Sequence, residues 1–153
     1  KINKISINTM SKWLEFHKDS DGHLYMMNFD GVLIPDIPRS AIVAKIYYEG
    51  KPPGGGFFTG VTTDYSTAWD KHVTWTLSEP FSAKQWFPVK QDLQDKADSA
   101  ILNFTTSSTN MVGSEGLLKK VVDLGNGRTR YEWKTHYPID YYLISFAVAD
   151  YAD

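Results

Sequence analysis

The 153-residue sequence predicts an all-β domain of twisted antiparallel sheets, in the manner of a β-sandwich, and three observations carry that prediction. Apolar residues recur with a period of two rather than 3.6 along most of the chain. Turn residues punctuate it at short intervals, leaving almost no stretch long enough for a helix. Aromatic residues are in excess: Trp 5, Tyr 9 and Phe 8 make up 14% of the chain, a composition suited to half-buried sheet or to a sticky binding face.

The elements follow in order. The chain opens without Met, directly into Ile2, Ile5 and Ile7, which reads as a strand already under way. Residues 1–9 show no apolar signal core and no small-residue cleavage site. Asp19-Ser20-Asp21-Gly22 is a turn joining strands at 12–18 and 23–29. Residues 40–48 place Ile42, Ala44, Ile46 and Tyr48 on one face and Ala41, Val43, Lys45 and Tyr47 on the other. Pro52-Pro53-Gly54-Gly55-Gly56 is a turn-rich connection that no core strand tolerates. A strand over 73–77 leads into an irregular, aromatic and proline-rich segment extending to residue 97. Within it, residues 91–97 are the lone helix candidate, one or two turns long. Residues 98–104 alternate Ala100, Leu102 and Phe104 against Ser99, Ile101 and Asn103. Gly125-Asn126-Gly127 then turns a hairpin between 118–124 and 128–134, with Thr129, Tyr131 and Trp133 facing one way and Arg128, Arg130, Glu132 and Lys134 the other. The longest apolar run, 143–149, suits a buried strand and is far short of the ~20 residues that span a bilayer.

Composition bounds the chemistry. The whole of 1–153 reads as a single β-domain, long enough to bury a core. Lys+Arg 16 against Asp+Glu 18 leaves a net charge of −2 with the lysines scattered among acids, which argues against nucleic acid as a main partner. Cys 0 removes disulfides, thiol catalysis and cysteine-ligated zinc, and leaves the compartment open. His17, His23, His72 and His136 form no HExxH pattern; His17 and His23 flank a turn and could approach across strands. No Gly-x-Ser-x-Gly elbow is present, and Gly54-Gly55-Gly56 lacks the Lys and Ser/Thr of a phosphate loop. The residues assemble no catalytic constellation. Glu79, at the end of the 73–77 strand, reads from composition alone as a solvated strand-end carboxylate or as a functional one.

Four blocks, in order, carry a resemblance to a known family. Ile46-Tyr47-Tyr48-Glu49-Gly50 resembles an "I-x-Y-x-G" strand end, and Thr76-Leu77-Ser78-Glu79-Pro80 resembles "T-Q-x-E-P". Phe87-Pro88 through Asp95-Lys96-Ala97 resembles "F-P-C-x-D-x-P-x-x-K-A". Pro138-Ile139-Asp140-Tyr141-Tyr142-Leu143, with Phe146, Val148 and Tyr151, resembles "P-x-x-x-Y-L-x-x-F-x-V-x-x-Y", the last strand of the family's domain. Ser114-Glu115-Gly116-Leu117 also stands where "S-N-G-x-L" is expected. In this order and spacing the blocks resemble the saddle-like N-terminal β-domain of the gluzincin zinc metallopeptidases, the family of aminopeptidase N and leukotriene hydrolase.

The resemblance implies a role. In that family this domain packs on a thermolysin-like catalytic domain and walls the substrate cleft. By that likeness the chain is excised from a longer zinc peptidase and trimmed at its N-terminus, with no catalytic residue and no metal ligand of its own. Zinc, HExxH and GxMEN would lie in the absent catalytic domain, so this chain alone should be inactive. The partners implied are that catalytic domain and the N-terminus of a peptide substrate. Glu79 matches the family glutamate near the substrate's α-amine, and Leu77 matches the glutamine that lines the pocket for the first side chain. Leu77 removes that amide and predicts a more apolar wall. Val89, Gln91 and Leu93 stand where the family has Cys, Asp and Pro, with Asp92 adjacent. The same resemblance casts Phe87, Pro88, Lys96 and Ala97 as packing residues and leaves Trp86 either way. The rival reading is a stand-alone carbohydrate-binding β-sandwich that stacks sugars on Trp69, Trp75 and Trp86.

Overall fold

A computed structural model describes residues 2–7, 15–18, 24–27, 44–53 and 59–151. It is all-β, and its strands pair antiparallel throughout. The chain divides into two compact units, Lys1–Lys51 and Pro52–Asp153.

The first unit holds two strand pairs. β1 (Ile2–Ile7) pairs with β4 (Ala44–Tyr48), bringing Ile5 opposite Ile46. β2 (Glu15–Lys18) pairs with β3 (Leu24–Met27). Both pairs lie within the stretches expected as strands; His17 stands opposite Tyr25, whereas the turn at 19–22 and His23 fall outside the described residues.

The second unit is built on two sheets. β5 (Gly60–Ser66), β6 (Lys71–Leu77), β11 (Phe146–Ala149) and β8 (Met111–Ser114) form a four-stranded sheet in the order β5-β6-β11-β8. β7 (Ala100–Ser107), β10 (Arg128–Thr135) and β9 (Leu117–Gly125) form a three-stranded sheet in the order β7-β10-β9. Along β7 the period-two alternation translates directly into burial. Leu102 and Phe104 turn inward while Ile101, Asn103 and Thr105 are exposed, and register places Leu102 opposite Trp133 and Phe104 opposite Tyr131. The Asn126-Gly127 turn closes the β9–β10 hairpin because both residues accept positive φ (53° and 70°). The two sheets meet through Phe104 and Phe146, whose rings lie 5.1 Å apart, and through the Tyr131 hydroxyl, which donates to the Asn110 carbonyl at 3.0 Å.

The core of this unit is shallow. Ala83, Val112, Tyr131, Tyr141 and Ala149 are its buried apolar residues among those described, and no large side chain is completely enclosed.

Two expectations are corrected. Residues 91–97 form turns rather than a helix: the Asp92 carboxylate accepts the Gln94 N–H at 3.0 Å, the local side-chain bond by which aspartate competes with helix. The short helical turns lie elsewhere, as 3-10 turns at Ala83–Gln85 and Tyr141–Leu143. Finally, 143–149 is not one strand. Leu143 belongs to the second 3-10 turn and is exposed, and only Phe146–Ala149 pairs.

Candidate functional site

The segment between β6 and β7 carries the sequence-predicted residues, and it is ordered by side-chain bonds rather than by a ladder. β6 delivers Leu77 at its last position, half-buried and on the same face as Val73 and Trp75. The alternate residue Thr76 is buried and turns toward β11, where its hydroxyl accepts the Phe146 N–H at 2.9 Å. Ser78 follows at 2% exposure. Its hydroxyl accepts the Trp86 indole N–H at 3.0 Å, and its carbonyl accepts the Ser82 N–H at 3.0 Å. Glu79 comes next and is exposed, joined to Pro80 by a cis peptide bond. The Pro80 carbonyl in turn accepts the hydroxyl of Tyr141 at 2.8 Å. Among the described residues no hydrogen bond or ion pair engages the Glu79 carboxylate.

Around this turn the surroundings are apolar, with carboxylates beyond. Trp86 packs on Phe87 at 4.4 Å and edge-on to Phe146 at 5.4 Å, so its ring is committed to the fold. Phe81 is 61% exposed beside Pro80. Lys96 pairs with Asp140 at 3.3 Å, tying the end of the irregular segment to the approach of the Tyr141–Leu143 turn. Burial raises the Tyr141 phenol above its ordinary range, with the Asp140 carboxylate adding to the effect. Asp92 is held below the usual carboxylate range, chiefly by the Gln94 N–H and then by the Lys90 ammonium 3.4 Å away.

The other expected residues separate. Glu79 and Leu77 share one strand end, two residues apart. Phe87 packs as expected; Pro88 and Ala97 are exposed instead, and Lys96 serves an ion pair. Gln91 accepts the Lys84 N–H at 3.3 Å. Of the three tryptophans weighed for sugar stacking, Trp69 is 77% exposed on the β5–β6 turn, whereas Trp75 and Trp86 are half-buried. Ser78 was not singled out by sequence reasoning, and Tyr141 entered only at an unspecified position of the last block, beside the motif tyrosine Tyr142. The signal for both was their place inside the quoted blocks, one beside Glu79 and one 61 residues beyond its neighbour Pro80.

No group of three His, Asp or Glu side chains among the described residues could hold a metal ion. His72 instead stacks edge-on with Tyr65 at 5.1 Å. Zinc therefore does not fit the described residues of this chain. Among those residues, no helix is long and apolar enough to cross a membrane.

No protein-family model and no curated protein matches the sequence. Solved structures do match its fold. An M1 zinc metallopeptidase from Deinococcus radiodurans superposes with a TM-score of 0.72 at 15% identity, covering 97% of this chain and 32% of that one. A point mutant of the M1 enzyme from the same organism, bound to a Tyr-Ser-Ala substrate, gives 0.71 at 14% identity with the same coverage. A two-domain M1 zinc metallopeptidase mutant bound to L-tryptophan gives 0.71 at 15%. The chain thus has the fold of part of an M1 zinc metallopeptidase and spans about a third of the length of the structures it matches. The all-β fold expected from the resemblance is the fold found.

Proposed function

We propose that this chain is the non-catalytic N-terminal β-domain of a zinc metallopeptidase of the aminopeptidase N type, packing on a catalytic domain and forming one wall of its substrate cleft. The observation that carries this reading is the match of 97% of the chain to about a third of an M1 zinc metallopeptidase. The four sequence blocks, met in the family's order, support it independently.

In this reading Glu79 anchors the free α-amine of a peptide substrate, and Leu77 contributes an apolar wall beside the first side chain. An ammonium leaving water needs carboxylate partners, and such charge-assisted bonds are among the strong ones. Glu79 suits the task because its carboxylate is exposed and spends nothing on the fold. The remainder of the protein would hold the zinc and supply the hydrolytic chemistry at the N-terminal peptide bond.

The test is an aminoacyl-arylamide hydrolysis assay of the purified 153-residue chain with added zinc. No turnover is expected; robust turnover overturns the non-catalytic assignment.

A further inference from the structure

The residues flanking Glu79 behave unlike Glu79 itself. Ser78, on one side, is buried and bonded through both its hydroxyl and its carbonyl. Pro80, on the other, is exposed, yet its carbonyl is capped by a phenol only 6% exposed. The two donors come from different parts of the unit. Trp86 sits just past the Ala83–Gln85 turn, and Tyr141 opens the turn that leads into β11. Each donor is itself fixed. The Trp86 ring lies against Phe87 and Phe146, and the residue before Tyr141 is the Asp140 that pairs with Lys96.

A surface carboxylate held only by its own backbone would sample many orientations, because an exposed turn has few restraints. Here the residues on both sides are tied, Ser78 through its side chain to Trp86 and Pro80 through its carbonyl to Tyr141, and the side chain between has no partner among the described residues. Such a clamp does little for the sheets, which already have their ladders. It does preorganise a carboxylate, which lowers the entropy lost when a ligand is bound.

We propose that Tyr141 and Trp86 are positioning residues that clamp the Glu79–Pro80 turn from its two sides and fix the direction of the Glu79 carboxylate. The proposal rests on the reading of Glu79 as an amine anchor. Neither aromatic touches substrate; both act through the turn. A phenol is protonated throughout the neutral pH range, so the Tyr141 hydroxyl donates to Pro80 there.

The experiment uses the full-length protein and the Tyr141→Phe variant, which removes one hydroxyl and keeps the ring. Two readouts are taken: steady-state kinetics on an aminoacyl-arylamide, and hydrogen exchange of the peptide spanning residues 77–82. The expected result is a KM raised roughly 5- to 10-fold, the scale of one lost hydrogen bond, with kcat within about twofold. Exchange should accelerate in 77–82 and remain unchanged in β7, β9 and β10. In a Glu79→Gln background the Tyr141→Phe change should add nothing further to KM, as expected for a residue that acts through Glu79. A general loss of stability would instead lower the apparent kcat with KM unchanged and speed exchange throughout, which would overturn the positioning role. Unchanged exchange at 77–82 would overturn it as well. If Glu79→Gln alone leaves KM unaltered while exchange at 77–82 still responds to Tyr141→Phe, the clamp stands and the amine-anchor reading falls.

Discussion

The three-stranded sheet and the 78–97 segment are neighbours in one unit, yet they are ordered by different physics. In the sheet, β7, β9 and β10 are fixed by backbone ladders, and each side chain's face follows from its parity. In the segment, order comes from individual side-chain bonds: Trp86 to Ser78, Tyr141 to Pro80, Asp92 to Gln94, Lys96 to Asp140. A ladder tolerates the loss of any one side chain, whereas a segment built on single ties has a few positions that matter a great deal. The difference also explains where chemistry can reside. The segment, unlike the sheet, can push one carboxylate into solvent while burying the residue before it.

Substitutions can break this contrast in graded fashion. The largest effect is expected where a ladder is squeezed by backbone rather than by a side chain. At Gly116, which turns from β8 to β9 with φ +85°, an added Cβ would stand 2.2 Å from the Lys134 carbonyl oxygen. Gly116→Ala should cost about 3 kcal/mol or more, read as a fall in the denaturation midpoint. Gly60→Ala should cost less, about 2 kcal/mol, because its Cβ meets the Ser82 carbonyl at 2.9 Å and otherwise the Gln85 side chain, which can shift.

Within the tied segment, Trp86→Phe should cost about 1–3 kcal/mol, since the buried Ser78 hydroxyl loses its donor. The exposed Trp69 is the control: Trp69→Ala should stay within about 0.5 kcal/mol. Equal costs for the two would show that the indole bond to Ser78 contributes nothing to order.

Much of the sheet was legible in the sequence because parity is a local property. Leu102 with Phe104, and Tyr131 with Trp133, could each be assigned to one face of their own strand; the pairing then puts all four on one face of the sheet. The Gly125-Asn126-Gly127 turn fixed the hairpin for the same reason. The segment was legible only as irregular. Its ties join residues as far apart as Pro80 and Tyr141, and no period links them. The helix expected at 91–97 failed because one aspartate side chain satisfied the N–H of Gln94 locally. Glu79 and Leu77 were reached through motif resemblance, and their neighbours Ser78 and Tyr141 took on meaning only in three dimensions.

A smaller effect should come from alkaline pH. The Tyr141 phenol titrates above its ordinary value of 10.0 in the folded state, so the folded chain holds a proton that the unfolded chain has released. Stability from this source is complete below pH 10 and is lost as pH rises through the folded value. Denaturation midpoints compared between about pH 9 and about pH 11 should fall, and Tyr141→Phe should flatten that fall. An unchanged slope in the variant would place the titration elsewhere.

The most direct test of the central claim is kcat/KM of Glu79→Gln in the full-length protein, on an aminoacyl-arylamide and on its N-acetylated counterpart. The substitution keeps the side chain's shape and should leave stability within about 0.5 kcal/mol, since Glu79 has no partner among the described residues. The account predicts a loss of roughly 10-fold or more on the free-amine substrate, from the lost ammonium–carboxylate contact, and no loss on the acetylated one. An unchanged kcat/KM on the free amine would contradict it.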